Sequence, residues 1–221
     1  MTDTDNSNQL LLRAASASVL VSLLLIALKG AAFWRADSVA LLGSLTDSAL
    51  DFFASLINLL ALKAAFRQPG KKHCPAIIKA QAHAGYALAA VVLAASVYLG
   101  WRAFWQIWTP VPFEEGFFGV AVSVFAILAS LSLLTYQKNV IDKTGSATIS
   151  TDRLHFLGDI MLNLAVILAL LIATGAEIPA ADGIFGMGIA AYVAFSAVMI
   201  AVNSRDMLKN KGTGVIPELK K

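Results

Sequence analysis

Two pairs of ionisable side chains, each with members four residues apart, interrupt long apolar runs of this sequence. Asp47 and Asp51 lie in LLGSLTDSALDFFASLINLLAL, and His155 and Asp159 lie in TDRLHFLGDIMLNLAVILALL. An isolated carboxylate in hydrocarbon costs several kcal/mol, so acids in such runs are usually paired, cavity-facing and functional. Residues i and i+4 share one face of a helix, so the two members of each pair point in the same direction.

The two pairs are expected to lie at similar depths in a membrane. At a rise of about 1.5 Å per residue, Asp51 lies roughly 21 Å from Asp37 at one outer turn, and Asp159 roughly 24 Å from Gly175 at the other. Three carboxylates crowded together in a low dielectric repel one another and need a cation or protons. One imidazole and three carboxylates form a ligand set that tetrahedral Zn²⁺ accepts. The predicted metal ligands are Asp47, Asp51, His155 and Asp159.

The composition indicates an all-α, polytopic membrane protein. Of the 221 residues, 58% are hydrophobic and 14% are charged, and the mean hydropathy is +0.72, which is far from the usual soluble mixture. About 20 apolar residues cross the hydrocarbon core as a helix. Six such spans are predicted at residues 10–33, 38–62, 80–101, 117–136, 148–173 and 183–202. The first span is expected to be retained, because the acidic, polar start does not resemble a signal peptide.

The distribution of basic residues predicts the orientation. Lysine and arginine near the span ends collect on one side, in the loop RQPGKKHCPAIIK and the tail KNKGTGVIPELKK, so both termini are expected to be cytoplasmic. The net charge of +3 follows from this bias and does not indicate a nucleic-acid partner. The expected organisation is a polar tail at residues 1–9, a transmembrane domain at residues 10–209 and a short cytoplasmic tail at residues 210–221, without a soluble C-terminal domain.

The two motifs together resemble those of the cation diffusion facilitators, a family that exports divalent metals. The resemblance rests on D-x-x-x-D at Asp47 and Asp51, on H-x-x-x-D at His155 and Asp159, and on ADGIFGMGIAAYVAFSAVMI, which is similar to the family's sixth helix. It implies a six-helix fold, a homodimer and proton-coupled export, with these four residues binding the transported ion. The expected location is the bacterial inner membrane.

The expected function is the export of cytoplasmic Zn²⁺, or Cd²⁺, in exchange for protons. An Fe²⁺ or Mn²⁺ exporter of the same family and an intramembrane metallohydrolase are the alternatives. A hydrolase needs an open metal position and a general base, but the chain has three histidines and no H-E-x-x-H motif, and no further buried acid is expected. A third interpretation takes the pairs as unrelated packing or capping pairs, which leaves the cost of burying the acids unexplained.

The remaining polar residues are expected to lie outside the site. His73 and Cys74 are adjacent in a basic loop and would bind a metal weakly. His83 is expected to be interfacial or hydrogen-bonded to a neighbouring carbonyl, with assistance to ion entry as the alternative. Asn58 and Asn163 share the faces of the ligands, where they either support the site or form interhelical hydrogen bonds. Asp152 is expected to be solvated near the start of the fifth helix, where an acid suits the helix dipole.

Overall fold

The structure, a computed structural model, describes residues 3–67, 75–111 and 116–209. Over these residues the chain forms six helices and no strands. The helices are α1 (Asp3–Ala36), α2 (Val39–Arg67), α3 (Pro75–Trp108), α4 (Gly116–Thr144), α5 (Ala147–Gly175) and α6 (Ala180–Lys209). Each is long and apolar enough to cross a membrane. The predicted all-α fold with six spans is therefore confirmed.

Some predictions are not tested by these helices. The loop that holds His73 and Cys74 and the tail at residues 210–221 lie outside the described residues. The cytoplasmic location of both termini and the division into domains stay predictions.

The helices extend beyond the apolar runs that predict them. Helix α3 continues to Trp108 and α4 to Thr144, seven and eight residues past the predicted ends of these spans at residues 101 and 136. Hydropathy locates the apolar part of a span, whereas local capping residues determine where the helix ends. The predicted spans therefore mark the apolar part of each helix and not the residues at which the helix begins and ends.

The turn between α4 and α5 shows how capping positions the site. Gly145 has a positive φ of 61°, a conformation that glycine adopts without steric cost, and its N–H donates to the Ile141 carbonyl at 2.7 Å. The next residue, Ser146, is the N-cap of α5, and its Oγ accepts from the N–H of Ile149 at 3.4 Å. This pair of caps fixes the first residue of α5, and with it the direction in which His155 and Asp159 point.

The helices pack as a group of four and an associated pair. Helix α1 contacts α2, α4 and α5, and α4 and α5 contact each other extensively. Helices α3 and α6 pack mainly against each other and meet the other four through α2 and α5. The largest apolar cluster includes Leu41, Leu50, Val166, Leu170 and Val193. Helices α2 and α5, which carry the two sequence motifs, therefore lie in direct contact inside the bundle.

The distribution of polarity is that of a protein surrounded by lipid. Large apolar side chains are exposed on the outside of the bundle, among them Leu20, Trp34, Val97 and Phe195. In a bilayer these side chains would contact hydrocarbon and not water. The interior contains polar and charged side chains as well as the apolar clusters. The buried polar residues include Ser18, Ser22, Lys29, Ser44, Asp47, Ser48, Asp51, Ser55, Ser130, Gln137, Asp152, Asp159 and Asn163.

One buried acid caps a neighbouring helix. Asp182 of α6 accepts hydrogen bonds from the Ser38 hydroxyl at 2.5 Å, from the Val39 N–H at 2.7 Å and from the Ala40 N–H at 3.1 Å. The first amides of a helix have no partner within the helix, and a carboxylate is their preferred acceptor. The interaction fixes the start of α2 and so contributes to the position of the two acids farther along this helix.

We predict that Asp182→Asn destabilises the protein by about 2 to 3 kcal/mol, because one carboxylate oxygen is replaced by an amide that cannot accept from α2. The matched control is Asp37→Asn. Asp37 forms an ion pair with Arg102 at 2.9 Å, but its side chain is 72% exposed, so the loss is expected to stay below about 1 kcal/mol. Unfolding in mixed detergent and sodium dodecyl sulfate measures both. Equal losses for the two variants would contradict the capping role.

Candidate metal site

Helices α2 and α5 bring three carboxylates together inside the bundle. Asp47 and Asp51 on α2 and Asp159 on α5 are all buried. One carboxylate oxygen from each residue lies within 4.8 Å of those of the other two. The two motifs thus meet at one depth, as their positions in the sequence indicated. Their role as ligands of a transported ion stays a prediction.

His155 lies beside this group of carboxylates rather than within it. Its Nδ1 is 3.8 Å from Asp51 Oδ1, and its side chain is 32% exposed. The mutually close set in the described part of the chain consists of the three carboxylates alone. The predicted set of four ligands is therefore a compact group of three oxygens with an adjacent, more accessible imidazole.

Two oxygens of the site have no hydrogen-bond donor. Among the described side chains, Asp47 Oδ2 and Asp51 Oδ2 are buried without a hydrogen-bond partner. Buried polar atoms in proteins almost always have a partner, because an unpaired one forfeits its interaction with water. A cation is a partner that both oxygens can share. These unpaired atoms therefore call for a cation or protons, independently of the sequence motifs.

Lys29 of α1 is a member of the site that the sequence analysis missed. Its Nζ lies 2.7 Å from Asp159 Oδ1, and both side chains are 0% exposed. The ammonium also donates to Ser48 Oγ at 2.8 Å and to the Ser44 carbonyl at 3.4 Å. The basic residues that indicate orientation lie near the span ends, whereas Lys29 lies inside the apolar run LLLIALKGAAF. Its presence within an apolar span was the signal that could have found it.

Asp159 is surrounded by fixed donors. In addition to Lys29, Ser130 of α4 donates to Asp159 Oδ2 at 2.9 Å. The side-chain amide of Asn163 donates to the Asp159 main-chain carbonyl at 2.7 Å, and Ser44 Oγ donates to Asn163 Oδ1 at 3.5 Å. Asn163 thus makes the interhelical hydrogen bond that was one of its two predicted roles. Asp159 has its donors in place, whereas the two acids of α2 each keep an unpaired oxygen.

The expectation that Asp152 is solvated was wrong. Asp152 is only 3% exposed and accepts hydrogen bonds from Ser18 at 2.5 Å, Ser55 at 2.6 Å and Gln137 at 2.6 Å. Helix α5 begins at Ala147, so Asp152 lies beyond its first turn and faces the bundle. The expectation that no further acid is buried near the predicted ligands was wrong for the same reason.

The other two polar residues that the sequence analysis considered do not join the carboxylates. His83 is exposed on α3, and Asn58 is half-buried on α2. Neither belongs to the mutually close set.

Comparison with known proteins identifies related membrane pumps. Residues 15–209 match the family of cation efflux transmembrane domains. The cation-efflux pump FieF of Yersinia enterocolitica is 33% identical over 198 residues, which are 90% of this chain and 65% of that protein. The pump of the same name from Cronobacter sakazakii is 31% identical over 203 residues, 92% of this chain and 67% of that protein. The chain spans about two thirds of the length of these curated relatives.

Within the described residues, six apolar helices that enclose several buried charged and polar side chains define an integral, multi-pass membrane protein. Within that class, the chain belongs to the cation efflux family, the cation diffusion facilitators that its motifs resemble. The family is one of cation transporters rather than of enzymes, which argues against the metallohydrolase alternative. With bacterial pumps as relatives, the chain is a protein of the inner membrane.

We predict that Asp152→Ala destabilises the protein by about 2 to 4 kcal/mol, because Ser18, Ser55 and Gln137 lose the acceptor that they share. Asp142→Ala, at an exposed position of α4, is the control and is expected to change stability by less than about 0.5 kcal/mol. Unfolding in mixed detergent gives both values, and hydrogen exchange locates the effect. Faster exchange should appear where α1, α2, α4 and α5 meet Asp152. A variant as stable as its parent would mean that the three donors find other partners.

Proposed function

We propose that the chain exports a divalent metal ion from the cytoplasm in exchange for protons. The ligands of the proposed site are Asp47, Asp51, His155 and Asp159. The observation that carries the proposal is the buried group of three carboxylates, in which two oxygens lack a hydrogen-bond donor. The family and the name of the relatives, cation-efflux pumps, support it.

The chemistry of these ligands provides a basis for exchange. Carboxylates and imidazole bind a metal ion in their deprotonated forms, so metal and protons compete for the same atoms. A site that takes a metal ion from one side and protons from the other couples the two movements without a further cofactor. The burial of the carboxylates strengthens the competition, because uncompensated charge is costly away from water.

We infer that the preferred cargo is Zn²⁺, with Cd²⁺ as its nearest competitor. A mixed set of imidazole and carboxylate ligands suits Zn²⁺, which accepts both in tetrahedral geometry. His155 is close enough to Asp51, at 3.8 Å between the nearest atoms, for a change of side-chain rotamer to bring it to the same ion. In this proposal the imidazole distinguishes Zn²⁺ from harder ions.

One observation favours a second candidate, the export of Mn²⁺ or Fe²⁺. The mutually close ligand atoms are all carboxylate oxygens, with His155 to one side. Oxygen ligands suit harder ions such as Mn²⁺. The choice between the two cargoes therefore depends on whether His155 binds the ion directly.

The bilayer and a second copy of the chain complete the proposal. The exposed apolar side chains of the bundle support a location within lipid. A homodimer formed through the membrane helices is proposed because the family resemblance implies one.

We predict that Asp51→Ala abolishes Zn²⁺ transport while the protein remains folded, because it removes a ligand and one of the charges that hold the ion. The matched control is Asn58→Ala, seven residues farther along α2, which should transport at nearly the parent rate. Uptake into proteoliposomes with an imposed pH gradient measures the flux, and a pH-sensitive dye reports the return of protons. Parent-level transport by the Asp51 variant would show that the site lies elsewhere. Zn²⁺ uptake without proton movement would contradict exchange.

We predict that His155→Asp raises the flux of Mn²⁺ relative to Zn²⁺ by at least about tenfold, because a carboxylate replaces the ligand that Zn²⁺ prefers. The measurement is the ratio of initial Mn²⁺ and Zn²⁺ uptake by parent and variant in matched pH gradients. His83→Asp, at an exposed position of α3, controls for added negative charge. An unchanged ratio would assign selectivity to the carboxylates and the geometry of α2 and α5.

A further inference from the structure

Lys29 places an ammonium group against the acidic site from a helix that supplies none of the proposed ligands. It belongs to α1, and its ammonium contacts Ser48 and the Ser44 carbonyl of α2 as well as Asp159 of α5. Lysine within a membrane span is costly and is normally retained for a function. Three contacts to two helices hold this charge at one position beside the carboxylates.

The charges of the site match those of one divalent ion. When the three carboxylates are deprotonated, as metal binding requires, and the imidazole of His155 is neutral, the carboxylates and the ammonium together carry a net charge of −2. A divalent ion neutralises this charge, a monovalent ion leaves one negative charge, and a trivalent ion leaves one positive charge. Residual charge is expensive in a region of low dielectric, so the loaded site is most stable with a divalent ion.

We propose that Lys29 is the resident counter-cation of the acidic site. Its ammonium compensates one of the three carboxylates, so that a single divalent ion compensates the other two. The inference rests on the transport function proposed above and adds a determinant of charge selectivity and of ion release. Without the ammonium, a bound divalent ion would sit in a site that keeps one excess negative charge. Because the empty, deprotonated site would then carry three negative charges instead of two, it would attract the ion more strongly, and the ion would bind more tightly and leave more slowly.

A purely structural role for Lys29 makes the opposite prediction. If the ammonium only orients Asp159, its removal disorders a ligand and weakens the binding of the ion. The contacts of Asp159 favour the electrostatic role, because Ser130 and Ser48 also donate to its two oxygens, at 2.9 and 3.5 Å. The direction of the change in affinity therefore separates the two roles.

The experiment compares Lys29→Gln, which keeps a hydrogen-bond donor without the charge, with Lys29→Arg, which keeps the charge. The full chain is purified in detergent, Zn²⁺ affinity is measured by competition with a fluorescent chelator, and saturated flux is measured in proteoliposomes. Lys29→Gln is expected to bind Zn²⁺ at least about tenfold more tightly than the parent and to transport it more slowly. Lys29→Arg should stay within about threefold of the parent affinity. Lys63→Gln, at an exposed position of α2, should match the parent.

A second pair of variants tests the same idea without relying on the stability of Lys29→Gln. Asp159→Asn and Lys29→Met/Asp159→Asn both lack the carboxylate of Asp159, and they differ by the charge of Lys29. The double variant is expected to bind Zn²⁺ at least about tenfold more tightly than Asp159→Asn.

Suppose that the parent binds and transports Zn²⁺, but that the variants without the lysine bind it no more tightly than their matched controls. This result would overturn the counter-cation role and leave the proposed function standing. A folded parent that binds no divalent ion would overturn the proposed function, and this inference with it.

Discussion

The cost of holding charge away from water is the constraint on which the rest of this structure depends. Four ionisable groups, Lys29, Asp47, Asp51 and Asp159, lie buried where the helices α1, α2 and α5 meet. Only one full ion pair forms among them, between Lys29 and Asp159. The other two acids remain close together without an ammonium of their own, which is unfavourable unless a cation or protons compensate. The bundle thus holds its charges in an arrangement that is incomplete by itself.

Helices α1 and α4, which carry neither motif, supply hydrogen-bond donors that stabilise the buried acids. Ser130 and Gln137 of α4 donate to Asp159 and Asp152, and Ser18 of α1 donates to Asp152. Each hydrogen bond joins two helices, so the polar groups also fix how the helices pack. Association of helices in lipid depends on such contacts because the surrounding hydrocarbon is as apolar as the helix surfaces.

Much of the fold and the location of the site could be predicted from the sequence, because both depend on local patterns. Hydropathy gave the six spans, and the four-residue spacing gave the shared direction of Asp47 and Asp51. The contact of Lys29 with Asp159 and those of Asp152 with Ser18 and Ser55 could not be predicted in this way, because they join residues 130, 134 and 97 positions apart in the sequence. The location of His155 beside the carboxylates rather than among them could not be predicted either, because the spacing of a motif does not determine side-chain rotamers.

The acids of α2 and the acid of α5 differ in how fully their carboxylate oxygens are already paired. Asp159 has Lys29 and Ser130 as partners before any ion arrives. Asp47 and Asp51 each keep a buried oxygen without a donor, so they gain most from a cation. In the proposed exchange, a conformational state that brings Asp47 and Asp51 to the ion would therefore gain more from binding than a state that brings only Asp159 to it. A conformational equilibrium shifts only as far as the ligand stabilises one state over the other, so the acids of α2 would determine most of that shift.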